Sequence, residues 1–383
     1  MDFFQDELDK IKSAGAYREI KPIENINKNF VYMNGKKYID FSSNNYLGLR
    51  DDIRVIESGI KSAEKYGAGS GASRLVTGNM KIYDELEEKT AQFKNKERAL
   101  IFNSGYDANV GIFSSVFDSK DIIFADKLIH ASIIDGIMLS GAKLVRYKHN
   151  DILDLEEKII KYRKEYKKAG VVTESVFSMD GDIGKLKEIA ELKEKYEFIF
   201  IADEAHATGL FGEKGSGIVE EYNLSEKVDI VMGTFGKALG SQGAYVAADS
   251  KIIEFLINRA RSFIFTTAMN PFACGASLKA IDIVENEPFR REKVGELVKY
   301  TERKFKDNGF DTHGSETQII PVIIGENKKA VMLSKLLAEN GLLVSAIRPP
   351  TVPQGSARVR MTLNYNHTFE EIELITNILR KSR

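Results

Sequence analysis

The stretch FIFIADEAHATG, residues 198–209, runs four apolar residues into Asp203, Glu204 and His206. A short apolar run that stops on polar residues is the pattern of a buried strand in a parallel sheet. Two chemistries use such a strand end. In a nucleotide-driven motor the acids would hold magnesium; in a cofactor-dependent enzyme Asp203 and His206 would grip an organic ring. The rest of the chain separates the two.

A motor needs a phosphate loop of the form G-x-x-x-x-G-K-[ST]. The nearest candidate, TFGKALG at 234–240, has Gly233 and Gly236 too close together, and alanine follows Lys237. YGAGSGASRLVTG at 66–78 passes for a dinucleotide fingerprint, but a charged, helix-like stretch precedes it where that fold needs a strand. Bulk charge agrees. Fifty-five Lys and Arg against 56 Asp and Glu leave a net charge of -1, so no overall field draws nucleic acid. The motor reading fails.

Seven β-rich runs alternate with helical patterns between about residues 80 and 250: ERALIFNSG, DIIFAD, AKLVRY, AGVVTES, FIFIADE, VDIVMGT and GAYVAAD. That alternation predicts an α/β fold with helices crossing over a mostly parallel seven-stranded sheet. Six of the seven runs end in Gly, Ser, Thr, Asp or Glu, AKLVRY ending in Tyr147, and in such sheets ligands sit at the carboxyl ends of the strands. Beyond RSFIFTTAMNP the pattern changes. Long helices, the runs TQIIPVIIG and SARVRMTLNY, and the loop RPPTVPQG predict a smaller α+β domain. The expected division is an N-terminal segment 1–40, a large domain 41–275 and a C-terminal domain 276–383. Phe3, Phe4, Leu8 and Ile11 fall at helical spacing and predict an amphipathic helix packed on another surface.

One cysteine, Cys274, excludes an internal disulfide framework and a cysteine-built zinc site, and no metal site is expected. No stretch reaches the roughly 18 unbroken apolar residues of a membrane helix, and the first residues carry scattered charges. A cytoplasmic protein with no membrane or nucleic-acid partner is expected.

A lysine among small residues just past a predicted strand, Lys237 in VDIVMGTFGKALGSQGAYV, completes the second reading. With it the chain resembles the α-oxoamine synthases, a branch of the fold-type-I, aspartate-aminotransferase-like pyridoxal-phosphate enzymes. The resemblance rests on eight segments in order between residues 44 and 363: NNYLGL, YGAGSGASRLVTG, FNSGYDANVG, HASIIDG, VTESVFSMDGDIG, DEAHATGLFG, GTFGKALGSQGAYV and RPPTVPQGSARVRMTL. It implies a C-acyltransferase that condenses alanine or glycine with an acyl-CoA and loses carbon dioxide. Alanine with a pimeloyl thioester is the preferred pair, and glycine with acetyl-CoA the alternative.

The same resemblance assigns roles. Lys237 would bind the pyridoxal 5'-phosphate aldehyde and serve as base at the substrate's α-carbon. Asp203 would face the ring nitrogen, His206 and Ser178 the ring oxygen, and His130 the ring face and the substrate carboxylate. Ser104, Gly105 and Tyr106, where a strand turns into a helix, would meet the phosphate with amide groups, and Thr234 with a hydroxyl. Thr266 and Thr267 would reach the phosphate of a neighbouring subunit, which makes a homodimer with a shared active site. Arg358, preferred over Arg360, would clamp the amino-acid carboxylate. Asn45 would lie near the substrate, and Arg18 and Thr351 would touch the acyl group. Glu204 reads as structural. A catalytically silent relative that keeps only the fold would be expected to lose the lysine, and Lys237 is present.

Overall fold

A computed structural model describes residues 2–15 and 17–382. The chain forms two compact units: the larger is Asn45–Ser178 with Ile183–Glu292, and the smaller joins residues up to Asn44, Met179–Asp182, and Lys293 onward.

The larger unit is built on seven strands: β1 (Arg98–Phe102), β2 (Ile122–Asp126), β3 (Lys143–Tyr147), β4 (Ala169–Glu174), β5 (Ile199–Asp203), β6 (Ile230–Thr234) and β7 (Ala244–Ala248). Their order in the sheet is β1-β7-β6-β5-β4-β2-β3. Strands β6, β5, β4, β2 and β3 run parallel, while β7 is antiparallel to both β1 and β6. All seven predicted runs are strands of this one sheet. Every residue of β2, β4, β6 and β7 is buried, which is why these runs are almost uninterruptedly apolar.

The larger unit's helices include α1 (Ile53–Tyr66), α2 (Lys81–Phe93), α3 (Gly105–Val116) and α4 (Ala131–Ser140). On one face of the sheet, Ile112 and Phe113 of α3 and Ile133 and Ile137 of α4 share a core with Val172, Ile201 and Met232. Each such side chain contributes about 1.5–3 kcal/mol by leaving water. A fifth helix, α5 (Pro271–Asn286), starts at an Asn270 cap that accepts the Ala273 amide, with Pro271 in the first turn. Ser58 of α1 donates to the Gly275 carbonyl at 2.7 Å, and a Cβ on Gly275 would lie 2.0 Å from Ser62 Oγ. That close contact ties α5 to the larger unit, so the division falls at 292/293 rather than at the expected 275/276.

The smaller unit holds two sheets. Asn25–Asn27, Phe30–Met33 and Lys36–Asp40 form a meander, to which Leu342–Leu343 adds in parallel beside Lys36–Asp40. Ala357–Thr362 is the centre of an antiparallel three-stranded sheet between Ile319–Gly325 and Ser345–Ile347. His367 stacks on Phe41 at 4.3 Å and accepts the Asn364 amide. Burial drives its pKa down to about 3, so the ring is neutral. Through these contacts the N-terminal segment belongs with the C-terminal one and not apart from it. Asp2–Ser13 is helical as expected, but Phe3 and Phe4 are each 70% exposed, so the predicted packing is not made within the described residues. No described helix is long and apolar enough to cross a membrane.

Candidate active site

The polar ends of the strands converge as the sheet dictates. Asp203 closes β5, Glu174 closes β4, and the two are register partners on neighbouring parallel strands. His130 follows β2, Ser104 follows β1, and Lys237 follows β6. Two glycines bring the turns together. Gly209, at φ +93°, puts the His206 turn against the Lys237 turn, where a Cβ would lie 2.7 Å from Ala238. Gly240, at φ +63°, lets the same turn press on the Asn45–Arg50 segment, where a Cβ would lie 2.3 Å from the Arg50 amide nitrogen. An L-residue at either position would be strained and would clash.

Asp203 is buried and held by neutral donors. Its Oδ1 accepts the Ala205 amide at 2.9 Å and its Oδ2 the Asn109 side-chain amide at 3.1 Å. No ion pair to Asp203 forms among the described residues. His130 caps α4, its Nδ1 accepting from the Ser132 amide at 3.2 Å and lying 2.7 Å from Ser132 Oγ. Burial lowers the pKa of His130; the Asp203 charge raises it, Lys237 lowers it and Asp135 raises it again. Glu174 is driven far above the usual carboxylate range by burial and then by Asp203, against the pull of Lys237 and the His130 amide. These shifts put His130, Asp203, Glu174 and Lys237 within one electrostatic neighbourhood. His206 Nδ1 lies 2.7 Å from Tyr46 Oη.

The expected phosphate cradle is only partly as the sequence suggests. Ser104 caps α3, accepting the Asp107 amide and donating to the Asp107 carboxylate at 2.7 Å. Its hydroxyl is therefore committed, whereas the amides of Gly105 and Tyr106 meet no acceptor among the described residues. Thr234 Oγ1 donates to the Gly243 carbonyl at 2.8 Å and accepts the Gly236 amide, so its hydrogen is taken up by the turn. The Thr266 hydroxyl and Thr267 carbonyl both accept from the Asn103 side chain, beside Ser104 of the same chain. Ser178 sits half-buried in the turn that follows β4. Asn45 Oδ1 accepts the Arg50 amide at 3.1 Å, a structural use.

In the smaller unit, Arg358 is already engaged. Its Nη1 forms a close ion pair with Asp180 and a 3.1 Å bond to the Met179 carbonyl, and its Nε donates to the Ser356 carbonyl. An arginine paired with a carboxylate of its own unit is a poor clamp for another, which corrects the preference for Arg358. Arg360 lies two residues along the same strand and therefore on the same face. Its Nη2 is 3.5 Å from Oδ1 of Asn44, in the Asn-rich loop. Arg18 and Thr351 line one cavity of about 120 Å³ together with Arg348, a residue the sequence did not single out.

The donor set fits pyridoxal phosphate. A buried carboxylate awaits a cationic nitrogen, two first-turn amides await an anion, and a Cβ on Gly105 would meet nothing closer than 3.9 Å. Asn109, Ser132, Glu174 and Tyr46 were not named from sequence, although all four lie inside the matching segments. Their side chains act on other residues, and no spacing rule reports that.

Comparison with known proteins gives the family. Residues 36–379 match the model of the family described as aminotransferase class I and II. An 8-amino-7-oxononanoate synthase of Geotalea daltonii is 44% identical over 377 residues, covering 97% of this chain and 95% of the relative. Among solved structures, a serine palmitoyltransferase from S. paucimobilis with bound PLP superposes with a TM-score of 0.94 at 29% identity, covering 100% and 96% of the two chains. An 8-amino-7-oxononanoate synthase from Francisella tularensis gives 0.78 at 33% identity, covering 90% and 97%. The chain belongs to the aminotransferase class I and II family.

Proposed function

We propose that the protein is a pyridoxal-phosphate-dependent C-acyltransferase that joins L-alanine to a pimeloyl thioester with loss of carbon dioxide, the 8-amino-7-oxononanoate synthase reaction of biotin biosynthesis. One observation carries the reading: Lys237, Asp203 and His130 share a strand-end neighbourhood in a chain 44% identical, nearly end to end, to a relative of that name.

Pyridoxal phosphate, when bound, supplies an electron sink for the charge left at the amino acid's α-carbon. Lys237 would hold the cofactor through its amine and would supply the base that removes and returns the α-proton. Asp203 favours a protonated ring nitrogen because its buried negative charge meets only neutral donors. His206, with Tyr46 behind it, hydrogen-bonds the ring oxygen, and Ser178 serves the same edge. The Gly105 and Tyr106 amides at the positive end of α3 hold the phosphate, with Ser104 and Thr234 shaping the turns around it. His130 offers a neutral ring to the substrate. Arg360 takes the amino-acid carboxylate in place of Arg358, which fixes the bond that breaks when carbon dioxide leaves. Thr266 and Thr267 serve the phosphate of a second subunit in a cytoplasmic homodimer.

The cavity of Arg18, Arg348 and Thr351 bears on the acyl group. Two guanidiniums and a hydroxyl suit the terminal carboxylate of a pimeloyl chain; an acetyl group has no anion to place there. The test crosses alanine and glycine with pimeloyl-, heptanoyl-, succinyl- and acetyl-CoA. Alanine with pimeloyl-CoA is expected to turn over fastest, and Arg348→Ala to erase the preference for pimeloyl over heptanoyl. Faster turnover of glycine with acetyl-CoA overturns the substrate assignment in favour of a glycine C-acetyltransferase.

A further inference from the structure

We propose that Asn109 and Ser132 are positioning residues that link Asp203 to His130 and fix the hydrogen of the His130 ring on Nε2. Asn109, in α3, is 1% exposed, and its Nδ2 donates both to Asp203 Oδ2 at 3.1 Å and to Ser132 Oγ at 3.0 Å. Ser132, fully buried in the first turn of α4, lies with its Oγ 2.7 Å from His130 Nδ1, which also receives the Ser132 amide. Gly136 lets the two helices meet closely, since a Cβ there would lie 2.9 Å from the Asn109 carbonyl.

The hydrogen count leaves one arrangement. A carboxylate only accepts, so Asn109 must turn its NH₂ toward Asp203. The other amide hydrogen goes to Ser132 Oγ, which leaves that hydroxyl its own hydrogen to donate. His130 Nδ1 receives two donors and cannot carry a hydrogen, so the neutral ring keeps its hydrogen on Nε2. That arrangement exacts a sacrifice: Asn109 Oδ1 is buried with no hydrogen-bond partner. A buried unpartnered carbonyl is disfavoured, and a purely structural residue would not be expected to hold one. Asp203 and His130 are thereby set by a single amide, and the charge at one end is linked to the donor edge at the other.

This inference rests on the reading of Asp203 and His130 as cofactor-facing, but its test does not need the cofactor. Long-range ¹H–¹⁵N correlation spectra of cofactor-free protein report the tautomer and protonation midpoint of each of the five histidines. Comparison with His130→Asn assigns the ring. The wild-type protein is expected to show Nε2–H, with Nδ1 bare. Ser132→Ala and Asn109→Ala should each move the His130 midpoint by about half a pH unit or mix the tautomers. Ser132→Thr, which keeps the hydroxyl, should restore the wild-type pattern. In loaded enzyme the two alanine variants should lower kcat about 10-fold with little change in KM. An Nδ1–H tautomer of His130 in the wild-type protein overturns the proposal even if neither alanine variant folds. So do unchanged His130 signals in both alanine variants, which would leave His130 a mere helix cap. A chain that shows the relay yet refuses pyridoxal phosphate would instead sink the proposed function and leave the link intact.

Discussion

Asp203 and Glu204 leave the end of β5 in succession, toward opposite faces, and the two faces are built differently. Glu204 is fully buried and saturated: its Oε2 pairs with Lys94 at 2.7 Å, and its Oε1 accepts the Val219 amide at 2.8 Å and Ser175 Oγ at 3.3 Å. Lys94 in turn donates to Thr208 Oγ1 and to the Ser216 carbonyl. Burial pulls the Lys94 pKa down, but Glu204 and Tyr245 together outweigh it and hold the ammonium above its usual value. On the other face, Asp203 meets amides, and Glu174 and Asn109 each keep an unpartnered buried oxygen. The Glu204 carboxylate commits both oxygens to the fold; around Asp203, neighbouring oxygens are held back. Consistency at every level marks a structural region, and its local failure marks a functional one.

The sharpest way to break this contrast is to remove each acid's charge. Asp203→Asn should lower turnover at least about 10⁴-fold, more than about 5 kcal/mol in barrier, while the thermal midpoint shifts little. Lys94→Met should do the reverse. It strands a buried carboxylate and should cost about 3–5 kcal/mol of stability, with turnover per folded molecule retained. Adding Glu204→Gln to Lys94→Met should recover more than half of that loss. Urea unfolding and a steady-state assay on the same preparations decide the matter. If Lys94→Met is as inactive as Asp203→Asn at equal folded concentration, the two faces are not distinct.

How much of this was legible in the sequence differs between the sheet and the site. The strands could be read because a parallel strand buried on both faces is an apolar run, and its ligand-side end is where that run stops. The boundary of the larger unit could not, because α5 is assigned by Ser58 and Ser62 meeting Gly275 more than 200 residues away. The same limit applies to the site. Nothing in GTFGKALG says that the Thr234 hydroxyl is taken up by Gly243, and nothing in SARVRM says that Asp180 claims Arg358 from 178 residues back. Motifs name the residue types that a chemistry requires. Which of them saturate one another depends on distances that only the folded chain sets.

The pH dependence of the two faces should differ in a way that needs no cofactor. Glu174 keeps its proton in the folded chain at a pH where the unfolded chain, with an ordinary value near 4.3, releases it. Its contribution is therefore fully present below that ordinary value and is lost as pH rises toward the native one, at up to about 1.4 kcal/mol per pH unit. Lys94, whose pKa is raised, contributes stability that is present below the ordinary lysine value and is lost only as pH climbs through the higher native one. Between pH 5 and 8 its face should be flat. Glu174→Gln copies the protonated acid, so it should flatten the fall in cofactor-free stability over that range and gain stability at pH 8. Parallel urea-midpoint profiles for the wild-type and Glu174→Gln proteins would falsify a protonated Glu174.

The smallest effects should separate the faces most cleanly, because single hydroxyls perturb little else. Thr208 Oγ1 lies 2.8 Å from Tyr245 Oη on the Glu204 side, and Tyr46 Oη lies 2.7 Å from His206 Nδ1 on the Asp203 side. Thr208→Val keeps the shape and removes a hydroxyl that also bonds the Glu204 carbonyl and Lys94, which should cost at least about 1 kcal/mol of stability and leave turnover unchanged. Tyr46→Phe removes one hydroxyl as well, but from a histidine whose proposed task is to hold the cofactor. It should weaken pyridoxal-phosphate binding about 5- to 10-fold, close to the same 1 kcal/mol, with a smaller change in unfolding midpoint. The loss of one hydroxyl would then register in different observables, stability on one face and ligand affinity on the other. If both variants lose stability alike and bind the cofactor alike, the contrast drawn at β5 is one of position and not of purpose.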